Sequence, residues 1–397
     1  MSRITASSAL SNLVVLDVTR VRAGPTCCRV FADFGADVIK IEAPDGVDPN
    51  EGMSGPRHGY DMQNLHRNKR SLTLNLKEPA GLAAFLRMVE HADIVVENYR
   101  PDVKTRLGID YASLAAVNPR IILGSVSGFG QDGPLANDAG FDQIAQGMGG
   151  LMWITGEPGT GPMRAGAAIA DTSAGLYAAI GILVALAERE RSGRGQWVQT
   201  SLLQAQIAVC DFQAARYLVE GIVPQQAGND HPYATPMGVL PTADGFINIG
   251  VGGEGQWKAF CKAIGMPALA THPDYETMPL RFEHRLHLRA ILEPLFKTKT
   301  SEAWRRELAA AGVPAGPIHK MDAVFADPQV QYLQIAETVH HPVRGDVTLV
   351  GQPVVLSRTP AKVVTAIPEK GAHSDEILGE FGFSSAEITA LKSNKVV

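Results

Sequence analysis

Apolar runs of strand length alternate with amphipathic stretches over the first third of the chain. LVVLDV (13–18), DVIKIE (37–42), SLTLNL (71–76), DIVVEN (93–98) and RIILGSVS (120–127) are short and rich in Val, Ile and Leu. Runs of this kind read as strands buried on both faces. Between them the apolar positions recur at helical spacing, as in Pro79–His91 and in YASLAAVN (111–118). Gly24 and Pro25 mark a turn into a short helix that Gly35 stops, with Pro25 suited to the first turn. The alternation predicts an α/β fold with a parallel, doubly wound sheet. Ligand-binding loops in such a sheet lie at the carboxyl ends of the strands. Those ends carry Arg22, Asn98, Tyr99, Arg100 and Ser127.

The later pattern differs. GQWVQTSLLQAQIAVCDFQAARYLVEG (195–221) reads as a short strand and a long helix, and the polar passage 223–236 as a linker or a site wall. GVLPTADGFINIGV (238–251) has the form of an antiparallel hairpin turning at Asp244-Gly245. Helical patterns near 254–265, 281–297 and 301–311 complete a smaller α+β domain. Residues 320–358 return to short helix and strand, and Ser384 with Glu387 forms a capping box near the end.

One stretch stands apart. Residues 164–196, RAGAAIADTSAGLYAAIGILVALAERERSGRGQ, hold a helix apolar nearly all round, with one acid, Asp171, where it begins. Such a helix is expected to be buried on most sides, and Gly193 ends it. An acid there is either an N-cap or a reactive group. Small neighbours, among them Gly166 and Gly175, leave room for a ligand, and the helix dipole favours the charged form. An ionised carboxylate in an apolar surround can attack an activated acyl carbon.

Composition narrows the field. The 397 residues are 45% hydrophobic and 19% charged, the range of a globular protein of about two domains. A net charge of −5 carries no nucleic-acid footprint. Cys27, Cys28, Cys210 and Cys261 lack metal or redox spacing, so reduced thiols in the cytoplasm are expected. The charge-free run Thr172–Ala187 is shorter than the roughly 20 residues that cross a bilayer, and no membrane anchor is expected.

Other motifs are ambiguous. His66, Arg67, Lys69 and Arg70 form either a solvated basic face or, with Lys104 and Arg106, a phosphate site. Gly128-Phe-Gly130-Gln-Asp-Gly133 follows a strand but leads to Pro134 rather than a helix, so the dinucleotide context is missing. Gly250–Gly255 follows a hairpin strand. Its Gly252 and Gly253 better suit a mobile loop whose N–H groups hold an oxyanion. His284 and His287 lack a third ligand, and no metal is expected.

Taken in order, VLDVTRVRAGPTCCRVFADFGADVIKIEAP, NKRSLTLNLK, ADIVVENYRPDVKTRLGIDY, NPRIILGSVSGFGQDGP, IAQGMGGLMWITG and AGAAIADTSAGLYAAIGILVALAERERSGRGQWV resemble the class III (formyl-CoA transferase, CaiB/BaiF) CoA-transferases across nearly the whole chain. The resemblance implies Asp171 as nucleophile. It also implies a Rossmann-like large domain built from both chain ends (1–222 and 326–397) around a small domain (223–325), and an interlinked homodimer. It places Arg22, Ala23, Leu74–Lys77, Asn98, Tyr99, Arg100 and Arg106 at the CoA contacts, and 250–255 at the active-site lid. Coenzyme A thioesters are then substrates, with no permanently bound cofactor.

Formyl- and oxalate-directed members carry Gln where this chain has Arg22, and their glycine lid is longer than GVGGEG. Arg22 thus suits the distal carboxylate of a dicarboxylic acid as well as a phosphate or a structural contact. His231 and Tyr233 are further candidates for holding the substrate. The racemase branch carries a catalytic His where this chain has Phe141, which cannot take a proton. A racemase-type isomerase and a non-catalytic acyl-CoA binder are the alternatives to a transferase.

Overall fold

The computed structural model describes residues 4–48 and 51–397. They form two compact units: the described residues of 4–151, 165–214 and 329–397 in one, and 152–164 with 215–328 in the other. The boundaries differ from those read in the sequence. The crossover at 215 falls inside a helix, and the excursion 152–164 carries no compositional mark.

The first unit is built on six parallel strands: β1 (Val14–Asp17), β2 (Asp37–Glu42), β3 (Arg70–Thr73), β4 (Ile94–Glu97), β5 (Ile122–Ser127) and β6 (Trp197–Ser201). Their order is β3-β2-β1-β4-β5-β6, and every neighbouring pair is parallel. Strand order reverses between β1 and β4, where such sheets open a crevice at their carboxyl ends. The helices of this part of the chain are α1 (Ala23–Asp33), α2 (Tyr60–His66), α3 (Pro79–Val89), α4 (Pro101–Arg106), α5 (Tyr111–Val117), α6 (Asp142–Met148), α7 (Leu151–Ile154), α8 (Ile169–Ser192), α9 (Leu202–Val209) and α10 (Asp211–Glu220).

Side chains alternate across the sheet as the pleat requires. Val15, Val38, Ile94 and Ile122 face a core closed by α1 and α8. Leu16, Ile39, Val95 and Leu123 face the opposite core, closed by α3, α5 and the C-terminal helices. Burial on both faces explains the continuous apolar runs. The long helix read across 202–221 is instead two, because Asp211 adopts φ +43° and breaks it. The capping box at Ser384 and Glu387 is present.

Helix α8 corrects one expectation. Its buried face is mostly small residues, Ala170, Ala174, Gly175, Ala178, Ala179 and Ala185, with Ile182 among them. The opposite face, with Leu176, Tyr177, Ile180 and Val184, is exposed. At 24 residues it is long and apolar enough to cross a membrane by length and composition, although its alanine face is packed into the core. Gly175 also has a different reason from the one read in the sequence. A Cβ there would lie 2.4 Å from Ala23 O and 2.8 Å from Thr26 Cβ, so this glycine permits close approach of α1, not of a ligand. Gly193 ends the helix at φ +73°.

The basic run 66–70 is neither a solvated face nor a phosphate site, because all four side chains are buried. Arg67 pairs with Asp33 (2.7 Å), Lys69 with Asp17 (2.8 Å) and Arg70 with Asp37 (2.6 Å). Burial drives the Asp17 carboxyl upward, but Lys40 and Lys69 outweigh it and hold the group well below the usual carboxylate range. Burial and the same two lysines also push His66 well below its ordinary value, so it is neutral. Lys104 is likewise withdrawn beneath the surface, near Glu97 (3.5 Å).

The second unit has a three-stranded antiparallel sheet, Met237–Thr242, Gly245–Gly250 and Ala315–Pro317. Its aromatic core stacks Trp257, Phe260, Phe296 and Trp304.

Candidate active site

A cavity of about 900 Å³ opens at the carboxyl ends of β1, β4 and β5. Arg22, Ala23, Leu76, Lys77, Asn98, Tyr99, Arg100, Arg106, Ser127 and Asp171, all singled out from the sequence, are among the residues that line it. Leu74 is buried and lines an adjoining cavity of about 330 Å³. Residues far apart in sequence, Arg22 and Asp171 among them, thus converge because most of them follow a strand, or start a helix, at one end of the sheet.

Not every cation is equally available. Arg100 and Arg106 are exposed, with only 3.5 Å contacts to Asp102. Asn98 is fully engaged. Its Oδ1 accepts from Arg20 N (2.8 Å) and its Nδ2 donates to Arg20 O (2.7 Å), so it clamps the backbone at the end of β1. Beyond that clamp Val21 takes φ +59°, a strained setting for a β-branched residue. The chain then turns so that Arg20 lies over the Tyr99 ring (5.2 Å) and pairs with Asp48 (3.0 Å), while Arg22 pairs with Asp61 of α2 (2.8 Å).

Asp171 is not the N-cap of α8. It is the third residue of the helix, and Ala168 at the N-cap position offers no side-chain acceptor. The capping work falls to Asp142 of α6. Its Oδ1 accepts from Ala170 N (2.9 Å) and Asp171 N (3.4 Å), and its Oδ2 accepts from Gln146 Nε2 (2.7 Å). Gln146 also donates to Ala167 O (3.1 Å) and accepts from Ala165 N (3.0 Å), fixing the entry to the helix. An acid supplied from another helix therefore leaves the Asp171 carboxylate free to line the cavity.

The same arrangement tunes it. Burial first, and then the Asp142 charge, raise the Asp171 carboxyl to about 6, against the pull of Arg22. At neutral pH the group is still mostly ionised, and it is more basic and more nucleophilic than an ordinary aspartate.

Sequence reasoning missed Arg20, Asp61 and Asp142. Arg20 could have been found, since it directly follows β1. The two acids carry no local signal, because their roles exist only through tertiary packing.

Gly252, Gly253, His231 and Tyr233 belong to the second unit. Gly252 N–H donates to Gln256 Oε1 (2.8 Å), and Gly253 caps the helix Glu254–Ala263. The rings of His231 and Tyr233 meet edge to face at 4.4 Å. The loop 128–133 runs on without a helix until α6, and Gly130 N donates to Ser127 Oγ (3.0 Å). It lacks the strand–loop–helix form of a dinucleotide site. Among the described residues, His58, His341 and Glu369 are close enough to share a metal ion. However, His341 Nδ1 accepts from Val343 N (3.0 Å) and Arg344 N (3.2 Å). The neutral ring then carries its proton on Nε2, facing His58 Nδ1 (3.3 Å), which opposes ligation.

Comparison with known proteins identifies the family. Residues 10–374 match the sequence profile of CoA-transferase family III. This chain belongs to CoA-transferase family III. Among the family's relatives, the succinate–glutarate CoA-transferase of Agrobacterium fabrum is 40% identical over 384 residues, covering 94% of this chain and 95% of the relative. The succinyl-CoA–D-citramalate CoA-transferase of Chloroflexus aurantiacus is 35% identical and covers 98% of both. The crystal structure of a CaiB/BaiF family protein from Brucella suis superposes with a TM-score of 0.81 at 35% identity, covering 94% of this chain and 100% of that one. This family III member is accordingly an enzyme that transfers CoA, with acyl-CoA and carboxylate substrates.

Proposed function

We propose that the enzyme exchanges CoA between small dicarboxylic acids, with succinyl-CoA or a similar thioester as donor, through covalent intermediates on Asp171. The carrying observation is an uncapped, mostly ionised carboxylate in a cavity large enough for an acyl-CoA arm, beside a guanidinium. The two relatives described above act, by name, on dicarboxylic acids, which supports the reading of Arg22 as the seat of a distal carboxylate.

Asp171 attacks the thioester carbonyl, the C–S bond breaks, and CoA thiolate leaves behind a mixed anhydride. The thiolate attacks the aspartyl carbonyl, the donor acid departs as its carboxylate, and an aspartyl-CoA thioester remains. The acceptor carboxylate attacks that thioester, the C–S bond breaks and CoA thiolate leaves a second mixed anhydride; the thiolate then attacks the acceptor's acyl carbon, and Asp171 departs as its carboxylate. Bonds formed and broken match at each exchange, so no nucleotide is consumed. Gly253 N–H, which spends no hydrogen bond within the described structure, is the better oxyanion donor of the glycine pair. Gly252 must first release Gln256. A well-placed donor of this kind contributes roughly 3 kcal/mol. His231 and Tyr233 are the second unit's candidates for substrate contact. Arg100, Arg106 and Lys77 are suited to CoA phosphates, Ala23 and Leu74 to its apolar arm, and Asn98 and Tyr99 to the wall between them.

A homodimer is part of the proposal. The exposed apolar face of α8 is what a second copy would cover, and interlinking of the two chains follows from the family resemblance. All four cysteines are buried and unpaired, in keeping with a reducing cytoplasmic setting.

Succinyl-CoA followed by hydroxylamine should leave a hydroxamate at Asp171, seen by peptide mass. Asp171→Ala should lower exchange by at least roughly a thousand-fold. Normal exchange in that variant would overturn the mechanism.

A further inference from the structure

The contact between Arg22 and α2 is half-made. Only Nη2 donates, to a single oxygen of Asp61 at 2.8 Å, and the two side chains keep 30% and 21% of their surface in solvent. A guanidinium holds a carboxylate best through two parallel N–H donors. Arg22 shares its cavity with Asp171, and Asp142 lies behind the nucleophile on its backbone amide. Arg22 thus stands between the nucleophile and the Asp61 carboxylate, in a site that must admit another anion. Of the cavity's cations, Arg22 is the one whose carboxylate partner belongs to α2, so a second carboxylate on the acyl group would compete with Asp61 for it.

We propose that Asp61 is an internal place-holder, occupying in the resting site the position on Arg22 that the distal carboxylate of a dicarboxylic acid takes during turnover. This assignment rests on the reading of Arg22 given above. A dicarboxylate replaces a one-oxygen, part-solvated pair with a two-oxygen one. A monocarboxylate has nothing to offer and leaves the pair intact, so Arg22 is never stranded without a partner. Asp61 therefore makes the second carboxylate an option gained by exchange, and it weakens dicarboxylate binding by the strength of the pair it surrenders.

The test compares glutarate with valerate, acids of equal length that differ in the second carboxylate, at saturating succinyl-CoA. Asp61→Asn and Asp61→Ala should each lower the KM for glutarate by roughly five-fold, the value of a part-exposed pair near 1 kcal/mol. The KM for valerate should not fall with it. A glutarate KM that stays or rises in both variants would overturn the proposal, and so would an equal fall for both acids. Arg22→Gln separates the two layers of the argument. If it abolishes the preference for glutarate while the Asp61 variants behave as wild type, the seat is right and the place-holder wrong. If the preference survives Arg22→Gln, the seat itself is wrong.

Discussion

The side chain of Asp171 carries opposing demands that can be measured separately. Its carboxyl titrates near 6 in the fold against an ordinary value of 3.8. A raised acid binds its proton more tightly when folded, so it contributes nothing against folding below pH 4. The cost grows as pH rises and is complete above about 6, where it reaches up to about 3 kcal/mol for a shift of this size. Asp171→Asn should therefore melt higher than wild type at pH 8, with the gain vanishing towards pH 4, while turnover is lost. Equal melting temperatures at pH 8 would show that the site does not strain this carboxylate. Asp142 sets part of that titration. Asp142→Asn keeps an oxygen for the amide of Ala170 but removes the charge, so the acid limb of the wild-type rate profile, expected near pH 6, should move to lower pH. A limb that stays in place would assign the shift to burial alone.

Elements, rather than residues, were the legible part of the chain. β2 spans 37–42 as its apolar run does, and Gly193, Pro79 and the Ser384 capping box mark helix ends where local rules put them. Apolar periodicity reports local backbone geometry and burial, and parallel sheets repeat it strongly. It cannot tell which face of an all-apolar helix is covered, so α8 read as buried on most sides. Nor can it show why a residue is small. Gly175 looked like room for a ligand and is the point where α1 and α8 nearly touch. Gly175→Ala tests this. The added methyl must push α1 away, costing about 1–3 kcal/mol. Because Arg22 and Ala23 start that helix, transfer activity should fall even in the fraction that stays folded. A variant with wild-type stability and rate would mean that the two helices separate freely.

Charged runs mislead at the scale of the whole molecule for a related reason. Arg67, Lys69 and Arg70 lie within four positions, yet each finds its carboxylate more than thirty residues away. The pairing is invisible until the sheet is assembled. The same limit applied to surfaces makes the last prediction. Leu176, Tyr177, Ile180, Leu183 and Val184 follow helical spacing and face outward, with Ile180 and Val184 more than half exposed. Scattered apolar residues on a surface need no explanation, but a continuous stripe does on the one described helix that is long and apolar enough to cross a membrane. A second copy would bury it by self-complementary contact, as two-fold interfaces do. Light scattering should accordingly return about twice the 42.4 kDa chain mass. Val184→Glu together with Ile180→Glu should drive the enzyme towards monomer or aggregate, because two charges per copy would be buried without partners. The same pair of changes in a stable 42.4 kDa monomer with unaltered melting would instead leave the stripe solvent-facing and remove its claim to an interface.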